Sequence, residues 1–420
     1  MARARRTPGH TVTPGPTPPR HLLAILLLVA PMSQIPLDIY TPALPQMVAD
    51  LGSTSAVMQN TVTAYMLGMS VAFVPVGIVA DALGRKRVLL TCLVVVGATS
   101  VLCAVADSVP LLLGLRFVQG AAASACLVLA VAMAADSFRG DQLTSVSGLL
   151  GVAWGLAPVL APAVGGVLVQ FVEWRVVFVL IAAMSSAVAV VVAAALPETL
   201  AADQRSPIHV GQIGRSAAEA LRNRVFLCVV LVFGLMASAQ LAFGVAGPFL
   251  YQDGLGLVPA AYGLLALIVG MANLGGELAC GLLATRVSAR TLAIGALAVF
   301  AAGAAVLVVS AATIGLSVWA ITLGAGLALA GCGVLCPQMY GLALGLFTRN
   351  LGLIGGMVSA GGYLIVSASM AAVGALPERS QAPLGWLYVT CGLIAFVPLM
   401  WATSARHSRV NQQATPTVGS

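Results

Sequence analysis

Charged residues are scarce in this chain. Only 8% of its 420 residues are Asp, Glu, Lys or Arg, and 60% are hydrophobic, whereas a soluble domain usually carries about a quarter charged residues. The shortage excludes a soluble globular protein, because too few polar side chains remain to cover its surface. The apolar residues also come in long blocks, and a helix that spans a bilayer needs ~20 of them. We therefore expect an all-α membrane protein.

Other absences exclude classes of function. The four histidines, at positions 10, 21, 209 and 407, lie outside the apolar blocks or at their ends, so a histidine proton relay is not expected. No phosphate-binding loop of the GxxxxGK[ST] kind occurs, which argues against direct ATP drive. Neither a catalytic cluster nor a soluble domain is present, which argues against a membrane enzyme or receptor. We expect no enzyme activity and no cofactor.

Cysteines and net charge exclude two more classes. All eight cysteines lie inside apolar blocks, which argues against a disulfide framework. Cys332 and Cys336 share a helix face, but no second ligand pair accompanies them, so no metal site is expected. The net charge of +7 does not indicate nucleic-acid binding, because the bases lie in short loops between apolar blocks. The expected partners are a small molecule, protons and lipid, and the chain is expected to be a monomer.

The apolar blocks predict twelve spans in two halves. A polar linker, 197–224, separates an N-terminal six-helix bundle, 21–196, from a C-terminal one, 225–404. Residues 1–20 form a basic, Pro-rich arm that is predicted to be disordered, and 405–420 form a tail. The predicted spans are 22–45, 56–80, 88–106, 110–135, 143–169, 174–196, 225–250, 259–284, 290–310, 314–345, 351–375 and 384–404.

The distribution of bases predicts the orientation. If the N-terminus is cytoplasmic, every base except Arg116, Arg175 and Arg379 falls on the cytoplasmic side, as the positive-inside rule requires. Arg5-Arg6 hints at an export signal, but no small-residue cleavage site follows the first apolar run, so the first span is expected to remain. We predict a multi-pass protein of the bacterial inner membrane with both termini in the cytoplasm.

Four stretches resemble signatures of one transporter superfamily. GIVADALGRKR at 77–87, LRFVQG at 115–120 and GLAPVLAPAVGG at 155–166 are similar to the loop 2–3, span 4 and span 5 signatures of the major facilitator superfamily. DIYTPALP at 38–45 resembles the span 1 signature of Bcr/CflA-type drug:proton antiporters, a group that includes chloramphenicol exporters. The resemblance implies the major facilitator fold and proton-coupled efflux of small, mostly apolar drugs by alternating access, with a phenicol such as chloramphenicol as the first guess. The alternative is a proton symporter that takes up a small metabolite.

The loop after span 2 is a candidate conformational latch. Gly77 and Gly84 permit a tight turn and close helix contact, and Arg85 and Lys86 hold the loop on the cytoplasmic side. Asp81 could pair with a base or a helix N-terminus and so join the two halves in one conformation. The other interpretation is a basic loop that only sets the topology.

Span 5 carries a stripe of small residues and prolines. Such a stripe lacks side-chain bulk, so it permits close packing against a helix of the other half. The prolines remove backbone hydrogen bonds and bend the helix. We predict a tight seam between the halves, formed by Gly151, Gly155, Pro158, Pro162, Gly165 and Gly166.

Three charges lie inside predicted spans: Asp38, Arg116 and Glu277. Intramembrane charges usually face the protein interior or an aqueous cavity. At ~1.5 Å per residue, Asp38 and Arg116 lie roughly 10 Å and 9 Å below the same surface. Asp38 can exchange a proton and Arg116 cannot, so we assign Asp38 as proton carrier and Arg116 as the fixed charge beside it.

Each of these charges has a simpler interpretation. Asp38 could end span 1 at the membrane interface, and Arg116 could be a structural base that donates to backbone carbonyls. Glu277 could pair with Arg286 or act as a second protonation site. The other polar and aromatic residues in the spans are either packing residues or drug contacts, because Met and flat aromatics suit varied ligands. The cavity candidates are Met32, Gln34, Tyr40, Tyr65, Gln119, Met236, Gln240 and Phe243.

Overall fold

The computed structural model describes residues 21–200, 205, 210–347, 351–373 and 380–404. The predicted arm, 1–20, the tail, 405–420, and part of the linker lie outside these ranges. Twelve helices in the described residues are long and apolar enough to span a membrane, which confirms the predicted number. In chain order, α1 to α12 are Leu22–Asp50, Ser55–Leu83, Arg85–Ala104, Val109–Ser137, Gly140–Val169, Trp174–Ala195, Arg224–Pro248, Pro259–Leu283, Ala289–Thr313, Val318–Gly345, Leu351–Val373 and Ala382–Ala402.

Local sequence explains where several helices begin. Thr54 accepts a hydrogen bond from the Val57 N–H at the start of α2. Asn223 accepts from the first amides of α7, and Ser288 accepts from Thr291 at the start of α9. A side-chain oxygen on the residue just before a helix accepts hydrogen bonds from the first backbone amides, which have no partner within the helix. Between α2 and α3 the chain turns on Gly84 alone, at a φ of 100° that favours glycine.

The first span is not one regular helix. It consists of Leu22–Val29, a tight turn Ala30–Ser33, Ile35–Asp38, a second tight turn Thr41–Ala43, and Leu44–Asp50. Pro31, Pro36, Pro42 and Pro45 lie at the starts of the last four segments, where a missing N–H costs least. The predicted end at residue 45 is therefore five residues short, because Pro45 restarts the helix and does not end it.

The helices pair by the same plan in both halves. In the first half α2 packs on α4 and α3 packs on α6, and in the second half α8 packs on α10 and α9 packs on α12. The halves meet through two crossed pairs, α2 with α11 and α5 with α8. This is a bundle of two six-helix units, as predicted. Large apolar side chains that remain exposed, such as Val94 and Val190, lie on outer faces where lipid replaces water.

The two ends of the bundle differ. A linker helix, Val210–Arg222, lies at the same end as the turn between α2 and α3, and we call this the linker end. At the opposite, distal end, the Gln252 Nε2 donates to the Pro42 carbonyl at 2.9 Å, so α1 is joined to the chain after α7. Between the halves, Phe73 stacks on Tyr363 with ring centroids 5.4 Å apart. The distal end is closed by the contact of Gln252 with Pro42, whereas Phe73 and Tyr363 meet deeper in the bundle.

Candidate functional site

Asp38 lies at the end of the Ile35–Asp38 segment of α1 and is buried. Its Oδ2 accepts a hydrogen bond from the Gln34 Nε2 at 3.0 Å. Its backbone carbonyl, which would have faced the missing N–H of Pro42, accepts from the Thr41 hydroxyl at 2.9 Å. The helix break therefore places a carboxyl group inside the bundle with one side-chain donor.

Arg116 is fully buried on α4. Its guanidinium lies between two aromatic rings, 4.3 Å from the centroid of Tyr40 and 4.4 Å from that of Tyr65. A desolvated cation–π contact contributes ~2 kcal/mol or more. Nη1 donates to the Pro36 carbonyl at 3.0 Å and also to the Gln119 side chain. The positive charge is held by two rings, a carbonyl and an amide.

The two tyrosines are fixed by their own hydroxyls. The Tyr40 hydroxyl lies 2.8 Å from the Thr61 hydroxyl on α2, and the Tyr65 hydroxyl donates to the Ser33 carbonyl at 2.8 Å. Gln119 continues the network, because its Nε2 donates to the Ser100 hydroxyl of α3 at 2.6 Å. The aromatic clamp therefore ties α1, α2, α3 and α4 together around one cation.

Asp38 and Arg116 share this cluster without an ion pair. None of the ion pairs within 4.0 Å in the described part of the chain joins them. They are connected through α1, because Arg116 donates to the carbonyl of Pro36, two residues before Asp38. Asp38 is not at an exposed interface, so its interpretation as an interfacial helix end does not fit. The expectation of a base that donates to backbone does describe Arg116.

The predicted seam is formed by α5 and α8 over part of its length. At the distal end, a β carbon on Gly263 of α8 would lie 2.9 Å from the Pro162 carbonyl, whereas Gly165 faces the Ile39 carbonyl of α1 in its own half and is not part of the seam. Pro158 and Pro162 both lie inside α5. Gly166 faces Pro259 of α8. Only glycine permits backbones to approach this closely.

Gly151 is not part of the seam in this structure. A β carbon there would have no described atom within 4 Å, in contrast to Gly155, which faces Glu277. The stripe is regular in sequence, but contact with α8 ends near Gly155. The seam is therefore closed toward the distal end and open toward the linker end.

The candidate latch residues pair inside the first half. Arg85 contacts Asp81 at 3.4 Å and Asp136 of α4 at 2.8 Å. The Glu198 carboxylate accepts from the Arg85 and Lys86 amides at 3.0 and 3.2 Å, which caps α3. Among the described residues, none of these contacts reaches the second half; the helix start near Asn350, the other expected partner of Asp81, lies outside the described residues.

The side chain of Lys86 and the backbone of Gly77 also make their contacts within the first half. The Lys86 Nζ donates to the Ala193 carbonyl of α6 at 2.9 Å. Gly77 faces Val128 at an ordinary contact distance of 3.7 Å. Sequence reasoning missed Asp136 and Glu198, although each is an acid at the end of a predicted span facing a basic loop.

The cavity candidates fall into two groups. Gln34, Tyr40, Tyr65 and Gln119 belong to the cluster around Asp38 and Arg116, and buried Met32 packs in the first-half core next to it. The second group, on α7, comprises Met236, Gln240 and Phe243. Met236 contacts Cys332, and Phe243 meets Tyr251 edge to face at 6.4 Å.

Gln240 is joined to a polar pair that the sequence did not predict. Its Nε2 donates to the Asn273 Oδ1 of α8, and the Asn273 Nδ2 donates to the Glu277 Oε1 at 2.9 Å. Arg286 does not pair with Glu277, so that expected pairing is wrong for this conformation. Asn273 could have been found from its position, one helical turn before a carboxylate inside a span.

Twelve spanning helices in two six-helix bundles, with charged side chains inside the spans, are the architecture of a membrane transporter. Among the described residues no group of His, Cys, Asp and Glu could hold a metal ion. The profile of the Major Facilitator Superfamily matches residues 26–370, and the chain belongs to this superfamily. It is therefore a multi-pass membrane protein that acts on small molecules and is not an enzyme.

Several related proteins align with much of the chain. An uncharacterized MFS-type transporter, YdgK of Bacillus subtilis, is 32% identical over 62% of this chain and 64% of its own length. The bicyclomycin resistance protein homolog of Haemophilus influenzae is 26% identical over 91% of this chain and 95% of its own length. The multidrug resistance protein MdtL of Klebsiella pneumoniae is 27% identical over 90% of this chain and 94% of its own length.

Solved structures share the fold. The xylose transporter XylE of E. coli, in a partially occluded inward open conformation, superposes with a TM-score of 0.71 at 14% identity, over 90% of this chain and 98% of that chain. A crystal structure of a D-xylose-proton symporter gives a TM-score of 0.70, also at 14% identity, over 89% of this chain and 96% of that chain. At this identity the likeness shows the fold alone.

Proposed function

We propose that this chain exports small, mostly apolar drugs or antibiotics from the cytoplasm in exchange for protons, with Asp38 as the proton carrier. The observation that carries the proposal is a buried carboxyl group on a broken helix, beside an arginine that aromatic rings hold in place. The names of the bicyclomycin resistance and MdtL relatives support drugs as the substrate class. A phenicol such as chloramphenicol remains the first compound to test.

The geometry supports a division of roles between the two charges. Burying a charged carboxyl group without a partner is costly, whereas burying a neutral one costs much less. The bundle can therefore close over a protonated Asp38 more readily than over an ionised one. Arg116 stays charged throughout, and its rings and carbonyl keep it from collapsing onto Asp38 as a permanent ion pair.

The driving force is sufficient for export. When one proton enters for each neutral drug that leaves, one charge crosses ~100 mV and contributes about 2.3 kcal/mol, which could hold a nearly fifty-fold drug gradient before any pH difference is counted. The bases at the linker end, among them Arg85, Lys86 and Arg87, support a cytoplasmic location of this end. The closed distal end would then face outward, with a monomer in the inner membrane as the working unit.

The proposal is tested by growth of a pump-deficient bacterium that expresses the chain on a panel including bicyclomycin and chloramphenicol. Export predicts that the wild type raises the inhibitory concentration of at least one drug and that Asp38→Asn or a protonophore abolishes the protection. Asp107→Asn is the matched control, since that carboxylate is 91% exposed, and it should protect like the wild type. Sensitisation would indicate uptake, and protection that survives Asp38→Asn would exclude Asp38 as carrier.

A further inference from the structure

The second half holds a polar chain that the proton pathway does not use. Gln240 on α7 donates to Asn273 on α8, and Asn273 donates to Glu277 one turn farther along α8. Gln240 and Glu277 are partly exposed, and Asn273 is buried between them. All three lie inside membrane-spanning segments. Such polar groups are rare in a bundle and usually face a pathway.

Glu277 has no cation beside it. No ion pair in the described part of the chain includes this carboxylate. Its Oε1 accepts from Asn273, while its Oε2 lies 3.1 Å from where a β carbon on Gly155 of α5 would be. Apart from the backbone of α5 itself, only the Glu277 carboxyl group lies within 4 Å of that β-carbon position among the described residues. The free carboxylate oxygen therefore points at the interface of the two halves, where the seam begins to open toward the linker end.

The direction of the hydrogen bonds determines what this site can bind. Both amides use an N–H to donate toward the carboxylate, and the carboxylate can only accept. The oxygen left free at the interface is therefore an acceptor with negative charge. An unpaired carboxylate at this depth is costly, and the ligand that best compensates it is a cation that can donate hydrogen bonds.

We propose that Glu277 binds the protonated amine of a substrate, with Asn273 and Gln240 as positioning residues. The apolar body of such a substrate would lie along α7, where the partly exposed Ala237 and Gly244 are one turn to either side of Gln240. Because Gly155 has no side chain, the free oxygen of Glu277 can lie at the interface with α5 without a steric conflict. Export of the amine rests on the proposed function, but its binding does not.

The experiment uses the full chain in lipid nanodiscs and two fluorescent probes, dansylcadaverine and its N-acetyl derivative. The probes share one apolar body, and only the first carries a protonated amine. We expect the wild type to bind the amine about tenfold more tightly, which is the effect of one well-placed charge contact. Glu277→Gln should bind both probes equally, because the amide keeps the shape and removes the charge.

Two further variants keep the result interpretable. Gly155→Ala places a methyl group against the free oxygen and should weaken only the amine, even if Glu277→Gln folds poorly. Asp107→Asn should discriminate like the wild type. Equal binding of the two probes by the wild type, or discrimination that persists in Glu277→Gln, would overturn the proposal.

Asp38→Asn separates this inference from the proposed function. The titration needs no proton gradient, so Asp38→Asn should still prefer the amine if Glu277 is the binding group. If Asp38→Asn lost the preference for the amine probe while Glu277→Gln kept it, the cation would bind at Asp38. The assignment of the cation site to Glu277 would then be wrong. Failure of the growth test with an intact titration would refute export without touching the site at Glu277.

Discussion

The two halves of the chain share a helix plan but hold opposite charges in different ways. Arg116 lies seven residues after Val109 at the start of α4, and Ala325 lies seven residues after Val318 at the start of α10. Both positions are fully buried, yet only the first half carries a cation there. The second half instead carries Glu277 on α8, in contact with amides and open toward the seam.

The comparison shows how a bundle accommodates a buried charge. Arg116 is sealed by aromatic rings, so its charge is a fixed part of the first half. Glu277 keeps one oxygen free, so its charge is available to something that arrives from outside. We infer that the first half supplies a constant field beside Asp38, and the second half supplies a site whose occupant changes.

The largest expected effect comes from Arg116→Lys. Lysine keeps the charge but lacks the planar group that stacks between Tyr40 and Tyr65. We expect loss of the drug protection and of about 3 kcal/mol of stability or more, because the charged hydrogen bonds to the Pro36 carbonyl and to Gln119 contribute ~1.5–3 kcal/mol each and lysine cannot keep both. Growth assays and thermal unfolding of the purified protein measure the two effects. If Arg116→Lys matched the wild type in both, a point charge would suffice and the aromatic clamp would have no role.

A smaller but sharper effect separates two glycines of α5. Gly166→Ala would push a methyl group into the Pro259 carbonyl of α8, and overpacking of this kind costs ~1–3 kcal/mol. Gly151→Ala meets no described atom within 4 Å and should have little effect in this conformation. Thermal unfolding of the two variants checks the ranking. Equal destabilisation would mean that the seam extends over the whole stripe, as the sequence predicts.

Span number follows from the long apolar blocks, and the division into two halves follows from the polar linker between them, so this much of the fold could be predicted. The internal breaks of α1 could not, because Pro31, Pro36, Pro42 and Pro45 are compatible with either the end or the restart of a helix. The sequence predicts contact with α8 along more of α5 than the structure shows, for a related reason. A repeat of small residues fixes one face of a helix, but the angle between two helices decides how far that face stays in contact.

The charged residues of the site could be predicted, and their partners could not. Depth along a helix placed Asp38 and Arg116 at one level, since the rise per residue is constant. The sequence does not show that Arg116 donates to the Pro36 carbonyl, because that bond depends on a backbone that has left helical geometry. Asn273 was missed because an uncharged amide among apolar residues has the same sequence pattern as a packing residue.

Removing the tyrosine hydroxyls tests the clamp with the rings left in place. Tyr65→Phe loses the hydrogen bond to Ser33 and should cost ~1 kcal/mol, the typical net worth of such a bond. Tyr65→Leu also removes the aromatic face and should cost about 2 kcal/mol more. Thermal unfolding and drug protection should both follow this order. A Phe variant as damaged as the Leu variant would assign the tyrosine's role to its hydroxyl and not to its ring.

The smallest effects on stability are expected at the linker end. There Asp136, which is outside the loop signature, is expected to matter more than Asp81, which belongs to it. Asp81 belongs to the loop signature but is 56% exposed, whereas Asp136 is 20% exposed and contacts both Arg85 and Thr199. An exposed ion pair contributes ~0–1 kcal/mol, so Asp81→Asn should barely change thermal unfolding. Asp136→Asn should cost ~1–2 kcal/mol, because the partly buried Arg85 loses its negatively charged partner and a single neutral oxygen is left to accept from both Arg85 and Thr199. If Asp81→Asn impaired drug protection while leaving unfolding unchanged, Asp81 would act in another conformation, and a latch between the halves would again be required.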